Sequence, residues 1–186
     1  MSFPQYYTLE ELSKYEMIET NSKIPTLSEV LDLCKNKIFI NIELKDPNID
    51  ETFNRVIKLI EEKNMVNQIG ISSFYHQYYD LVLDYNRSHE EKIEYAKIFD
   101  SSIFPFSMRY NFKDKNICIN IYQNDITKEI VDKAHENGCA VMAWFKMKED
   151  ESEEIYQKLF DCGIDVLSCN EPNKAKEFRD NKYHKI

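Results

Sequence analysis

From Lys37 to Phe178, short runs rich in β-branched residues take turns with segments of helical period, and this alternation constrains the fold more than any other feature. Lys37–Leu44, Gln68–Ser72, Glu94–Phe99, Asn116–Ile121, Cys139–Phe145 and Asp165–Ser168 read as strands. Between and after them, helices are expected from Asp50, where Phe53, Val56, Ile57 and Ile60 share one face, and over Tyr75–Tyr85, Thr127–Asn137, Glu151–Asp161 and Pro172–Phe178. Strands joined through helices by short connections predict an α/β chain with a parallel sheet and helices outside it. Two more helices, at about 9–16 and 27–35, precede the first strand. Each opens with a capping box, Thr8-Leu9-Glu10-Glu11 and Thr26-Leu27-Ser28-Glu29, in which threonine and glutamate satisfy each other's backbone donors.

The 186 residues suit one domain, 1–186, and 33 Asp+Glu against 24 Lys+Arg give a net charge of −9. That balance argues against a nucleic-acid binder that works by neutralising phosphates. No apolar run approaches the ~20 residues of a membrane span. Met1–Lys14 lacks the basic and apolar regions of a secretory signal. Cys34, Cys118, Cys139, Cys162 and Cys169 are odd in number and form no closely spaced pair, as expected of thiols in a cytoplasmic chain. His135 and Cys139 straddle a helix end, a poor arrangement for a nucleophile and its base. Of the three glycines, Gly138 and Gly163 stand just past helix ends as left-handed stops, and Gly70 lies within a strand.

The strand ending at Lys45 carries the most chemistry. Alternation puts Ile38, Ile40, Ile42 and Leu44 on one face and Asn41, Glu43 and Lys45 on the other. A covered parallel strand is normally apolar on both faces, so a buried polar trio needs a reason. If the sheet closes into a barrel, Glu43 and Lys45 lie at its C-terminal mouth, where barrel active sites sit. An edge strand with one solvated face, or an internal Glu–Lys pair, explains the pattern equally well. His76, just after Ser72-Ser73-Phe74, would also sit at that mouth, as an acid/base group or as a solvated helix-start residue. Tyr75, Tyr78, Tyr79 and Tyr85 are spaced for helix packing, and the carboxylates of Glu149–Glu154 for a helix N-terminus. Asp46 and Asp50 could add oxygen ligands near Glu43, with Asp50 better placed as a helix cap.

Ile24-Pro25-Thr26-Leu27-Ser28-Glu29-Val30-Leu31, followed after a spacer by Asn41-Ile42-Glu43-Leu44-Lys45, resembles the central signature of the glycerophosphodiester phosphodiesterase family. Thr8–Leu12, Ile71–Phe74, His135–Trp144 and Gly163–Asp165 with Pro172 resemble further elements of that family in order. The resemblance implies a TIM-type (β/α) barrel of the phospholipase-C-like kind. It also implies hydrolysis of glycerophosphodiesters to glycerol 3-phosphate and an alcohol, with a divalent metal, Mg²⁺ or Ca²⁺. By the same resemblance Glu43 is the metal ligand, Lys45 faces the phosphate, and Trp144 lines the substrate pocket. The family's His-Arg-Gly, Glu-x-Asp and His-Asp motifs, which supply the acid/base histidines and most metal ligands, are absent from this sequence. Its Trp-Thr-Val-Asn run is Trp144-Phe145-Lys146-Met147 here, and its Thr-Asp is Cys169-Asn170. The expectation is therefore an incomplete barrel of about six parallel strands, lacking the family's first two strands and inactive as given. The alternative is a pseudoenzyme or scaffold that binds a small phosphodiester or phospholipid-derived ligand and self-associates to cover its open edge.

Overall fold

The isoleucine-rich runs pair with one another in strict sequence order. In the computed structural model, which describes residues 6–18, 20–101 and 117–183, the strands are β1 (Ile40–Glu43), β2 (Ile69–Ser73), β3 (Glu94–Phe99), β4 (Cys118–Tyr122), β5 (Ala140–Trp144) and β6 (Val166–Ser168). All five pairings are parallel, and the order across the sheet is β1-β2-β3-β4-β5-β6. The helices are α1 (Leu9–Leu12), α2 (Leu27–Cys34), α3 (Ile49–Glu62), α4 (Tyr78–Ser88), α5 (Lys128–Glu136), α6 (Glu153–Cys162) and α7 (Pro172–Tyr183). Residues 102–116, which include Asn116 at the expected start of the fourth strand, and His184 lie outside the described residues.

The sheet is curled. Glu43 of β1 and Ser168 of β6 line the same cavity of about 390 Å³, yet they belong to opposite edges of the sheet. Five strand spacings of a flat sheet would hold those edges about 24 Å apart. One face of each strand therefore turns inward, carrying Asn41, Glu43, Ser72, Ile98, Asn120 and Trp144. The other face packs under the helices, with Ile69, Ile71, Ile119, Ile121, Val141 and Ala143 almost fully buried against α3–α6 residues such as Ile60, Val82, Val131 and Leu159. This is an incomplete TIM-type barrel with its first and last strands unclosed, as expected. The lower half of the concave face is lined by Gly70, Ala96, Cys118 and Ala140, and these small residues leave a hollow of about 510 Å³. A Cβ at Gly70 would stand 3.1 Å from the ring of Phe39, which would have to shift by a few tenths of an ångström to admit it.

Three helices end by the same device. Gly138 and Gly163 take φ of 73° and 87°, and the amides of Cys139 and Ile164 reach back to Ala134 and Leu159. After α3 the left-handed position belongs to Asn64 (φ 52°), with Met65 N–H donating to the Ile60 carbonyl at 3.1 Å. Asn21 and Asn36 also adopt positive φ. Asparagine thus fills three left-handed positions that glycine usually takes.

Both capping boxes form as expected, but α1 runs for only one turn and buries nothing, so no packing extends it toward residue 16. β1 begins at Ile40, not Lys37: the Gln68 side chain takes the Ile38 carbonyl at 2.9 Å and Ile38 is left exposed. Asp50 does not cap α3. The helix starts one residue earlier behind Asn48, and Asp50 sits inside the first turn, where a carboxylate favours the helix dipole.

Candidate functional site

The mouth of the curled sheet is built from strand ends. The end of β1 is fixed from β2: Leu44 N–H donates to the Ser72 carbonyl at 2.8 Å, and the buried Ser73 hydroxyl donates to the Leu44 carbonyl at 2.6 Å. Tyr78 of α4 donates to the Asp46 carbonyl at 2.8 Å, and the Asp46 carboxylate closes its own turn on the Asn48 amide at 2.8 Å. These bonds set the path of the chain that carries Glu43 and Lys45. Glu43 is 30% exposed and lies 3.1 Å from the Lys45 ammonium, which is 75% exposed. Two readings of the sequence pattern hold at once. β1 is an edge strand bearing a Glu–Lys pair, and that pair lines a cavity at the C-terminal mouth. A pair so exposed adds little to stability.

Across the mouth, Trp144 at the end of β5 is held by its indole N–H, which donates to the Phe99 carbonyl at 3.2 Å. Phe74 stands edge-on to it at 5.9 Å and Tyr122 lies at 5.2 Å. Lys146 follows, its ammonium 3.3 Å from the fully buried Asp100 carboxylate and 4.1 Å from the centre of the Tyr122 ring. The sheet's curl thus brings Glu43, Lys45, Trp144 and Lys146 around one cavity.

The acidic run before α6 is only partly a helix-dipole device. Glu153 and Glu154 occupy the first turn behind the Ser152 cap, but Glu149 and Glu151 reach elsewhere. Glu149 accepts from the Tyr122 hydroxyl, from Gln123 at 3.1 Å and from the Lys146 amide at 2.9 Å. Burial opposes its ionisation, yet these bonds outweigh that and hold its carboxyl below the ordinary glutamate range. Burial, joined by the bond to Glu149, pushes the Tyr122 phenol up. Glu151 is fully buried. It accepts from Tyr156 at 2.7 Å and from the Asn170 and Glu171 amides at 2.6 and 3.3 Å, tying the loop after β6 to α6.

The described histidines, His76, His89 and His135, do not line the cavity. His76 contacts the Ile98 carbonyl at 3.0 Å through Nε2 and packs on Phe99, beside the mouth but not among the residues that line it. His89 stacks on Tyr85, and His135 pairs with Asp165 at 2.8 Å near the start of β6. No disulfide links the five cysteines. Burial pushes the Cys118 thiol up to about 12. Tyr78, Tyr79 and Tyr85 are packing residues, as expected of their spacing, whereas Tyr75 is exposed.

The donor set does not make up a metal site by itself. Among the described residues no three His, Cys, Asp or Glu side chains gather for a cation. Glu43 offers one carboxylate already held by Lys45, Asp46 is spent on its turn, and Mg²⁺ or Ca²⁺ calls for six or more oxygens.

Asp100, Asn120 and Tyr122 were not singled out by sequence reasoning, although a signal exists for one of them. Ile119-Asn120-Ile121 repeats the Ile40-Asn41-Ile42 pattern, so the same alternation turns Asn120 inward.

No protein-family model and no curated protein sequence matches the chain. Solved structures do. A glycerophosphodiester phosphodiesterase from Parabacteroides distasonis superposes with a TM-score of 0.72 at 12% identity, over 94% of this chain and 71% of that one. A protein described as a glycerophosphodiester phosphodiesterase from Galdieria sulphuraria gives 0.74 at 24% identity, over 92% and 70%. An Oleispira antarctica phosphodiesterase, solved with its product sn-glycerol 3-phosphate, gives 0.63 at 19% identity, over 85% and 62%. The chain therefore has the fold of the glycerophosphodiester phosphodiesterases over roughly two thirds of their length.

Proposed function

We propose that this chain is a single glycerophosphodiester phosphodiesterase-like domain that binds the glycerol-phosphate part of such a diester at its mouth and does not hydrolyse it unaided. The observation that carries this reading is the meeting of Lys45, Trp144 and Lys146 around one cavity at the strand ends. Lys45 supplies an ammonium for a phosphoryl oxygen, and the indole of Trp144 gives the glycerol carbons an apolar wall. Glu43 orients Lys45 and is the one cavity-lining carboxylate a divalent cation would take. Turnover fails for lack of a group to move protons, since no histidine lines the cavity among the described residues.

Calorimetric titration with sn-glycerol 3-phosphate tests the binding, and Lys45→Met is expected to weaken it about tenfold, the loss of one charge-assisted contact. Incubation with glycerophosphocholine and Mg²⁺ or Ca²⁺ is expected to release no glycerol 3-phosphate. Metal-dependent release that Glu43→Gln abolishes would overturn the inactive reading.

A second reading, self-association, rests on a different observation. Among the described residues, nine of the twelve exposed large hydrophobic side chains, Phe39 among them, lie before residue 40, on the stretch that leads into the unpaired β1 edge. A second copy covering that edge is expected to show as a dimer mass in light scattering, and a monomer at tens of micromolar would count against it. No helix among the described residues is long and apolar enough to cross a membrane.

A further inference from the structure

Among the described residues that line the mouth, one buried polar side chain carries an oxygen that the fold does not use. Asn120 is 5% exposed, its Oδ1 is sealed from solvent without a hydrogen-bond partner, and the residue lines the cavity shared by Lys45, Trp144 and Lys146. Its register neighbours on the concave face are Ile98 of β3 and Met142 of β5, neither of which can donate a hydrogen bond. Asn41, the other inward asparagine, is satisfied by the Ser72 hydroxyl at 3.0 Å. Buried amides are nearly always partnered, and one that is not marks a place where something else completes it. The unmet group is an acceptor, so its missing partner is a donor. A fully ionised phosphate has none to give. A hydroxyl fits. The terminal torsion of asparagine is broad and roughly two-fold, so a half-turn brings this oxygen from its sealed position to the cavity.

We infer that Asn120 is a specificity-determining residue that reads a hydroxyl of a phosphorylated polyol, while the lysines hold its phosphate. This rests on the mouth being a phosphate pocket. The inference adds a residue that selects by hydroxyl and so separates glycerol phosphate from an alkyl phosphate of the same length. Because the amide oxygen makes no hydrogen bond within the fold, replacing it with an apolar residue is expected to leave stability intact and to act on recognition.

The test is calorimetric titration of the full chain with sn-glycerol 3-phosphate, n-propyl phosphate and inorganic phosphate. The wild type is expected to bind glycerol 3-phosphate about tenfold more tightly than propyl phosphate, the worth of one neutral hydrogen bond to an otherwise unpaired group. Asn120→Leu should bring the two ligands together by weakening glycerol 3-phosphate alone, with an unchanged or raised Tm. Asn120→Thr, which returns a hydroxyl near the same place, should restore part of the preference. Equal binding of both ligands by the wild type, or a preference that survives Asn120→Leu, overturns the role of Asn120 and leaves the phosphate pocket standing. Failure to bind any of the three ligands overturns the pocket and the inference together. Variants that both fail to fold show Asn120 to be structural and overturn the inference as well.

Discussion

The hydroxyl of Ser73 on β2 donates to the carbonyl of Leu44 at 2.6 Å and accepts the Tyr75 amide at 2.9 Å. One buried oxygen thus joins the end of β1, which carries the Glu43–Lys45 pair, to the loop that opens toward α4. Ser73→Ala would leave both backbone groups without that partner, a loss of about 1–3 kcal/mol. Thermal denaturation should record a Tm fall of about 2–4 °C per kcal/mol for a chain of this size, and binding at the mouth should weaken with it.

Asn64 closes α3 in the left-handed conformation at φ 52°. Asn64→Gly removes the strain of a Cβ there and is expected to be neutral or stabilising by up to about 1 kcal/mol, whereas Asn64→Ala should cost about 1 kcal/mol. Gly163→Ala, at φ 87°, should cost about 1–2 kcal/mol for the same reason. Urea denaturation midpoints of the three variants should fall in that order.

Glu151 satisfies two backbone amides and a tyrosine from a fully buried position. Its truncation in Glu151→Ala strips all three donors at once and is expected to destabilise by about 3 kcal/mol or more. Glu151→Gln keeps the shape but can accept through only one oxygen, so it should fall between alanine and wild type. A Gln variant as stable as the wild type would show that the charge is unimportant.

Acid should loosen the mouth before it unfolds the sheet. The Glu149 carboxyl is held below its ordinary value, so its share of stability is present above the unfolded value of about 4.3 and is lost as pH falls through the lower folded value. The chain has a single tryptophan, and Trp144 stands 5.2 Å from Tyr122, which donates to Glu149. Its fluorescence should therefore change with a midpoint below about 4.3. Glu149→Gln should abolish that transition while leaving the later global one.

The sheet was legible because its signals are local. Each strand is a short isoleucine-rich run, and Gly138 and Gly163 mark helix ends that any sheet arrangement would keep. Alternation put Glu43 and Lys45 on one face of the first strand but did not decide which way that face turns, which depends on the curl of the sheet. The cavity was not legible in the same way, because it depends on curl: Asn120 and Lys146 share a cavity with Glu43 only when strands far apart in sequence bend around a common axis. The destinations of Glu149 and Glu151 were hidden by their neighbours. Five carboxylates before a helix look like one device, yet two of them fold back to bind tyrosines and backbone amides made by other segments.

Every strand bonds only to its neighbours in sequence, and the row stops at β1 and β6. A strand leaves a closed barrel only by breaking the ladders on both of its sides, whereas β1 and β6 are each held by a single ladder, so this sheet can peel from either rim one ladder at a time. Protection of backbone amides against solvent exchange should accordingly rise from the rims toward β3 and β4. Glu43 and Lys45 ride on one of the rims, so the phosphate contact proposed for Lys45 would depend on a strand held by a single ladder.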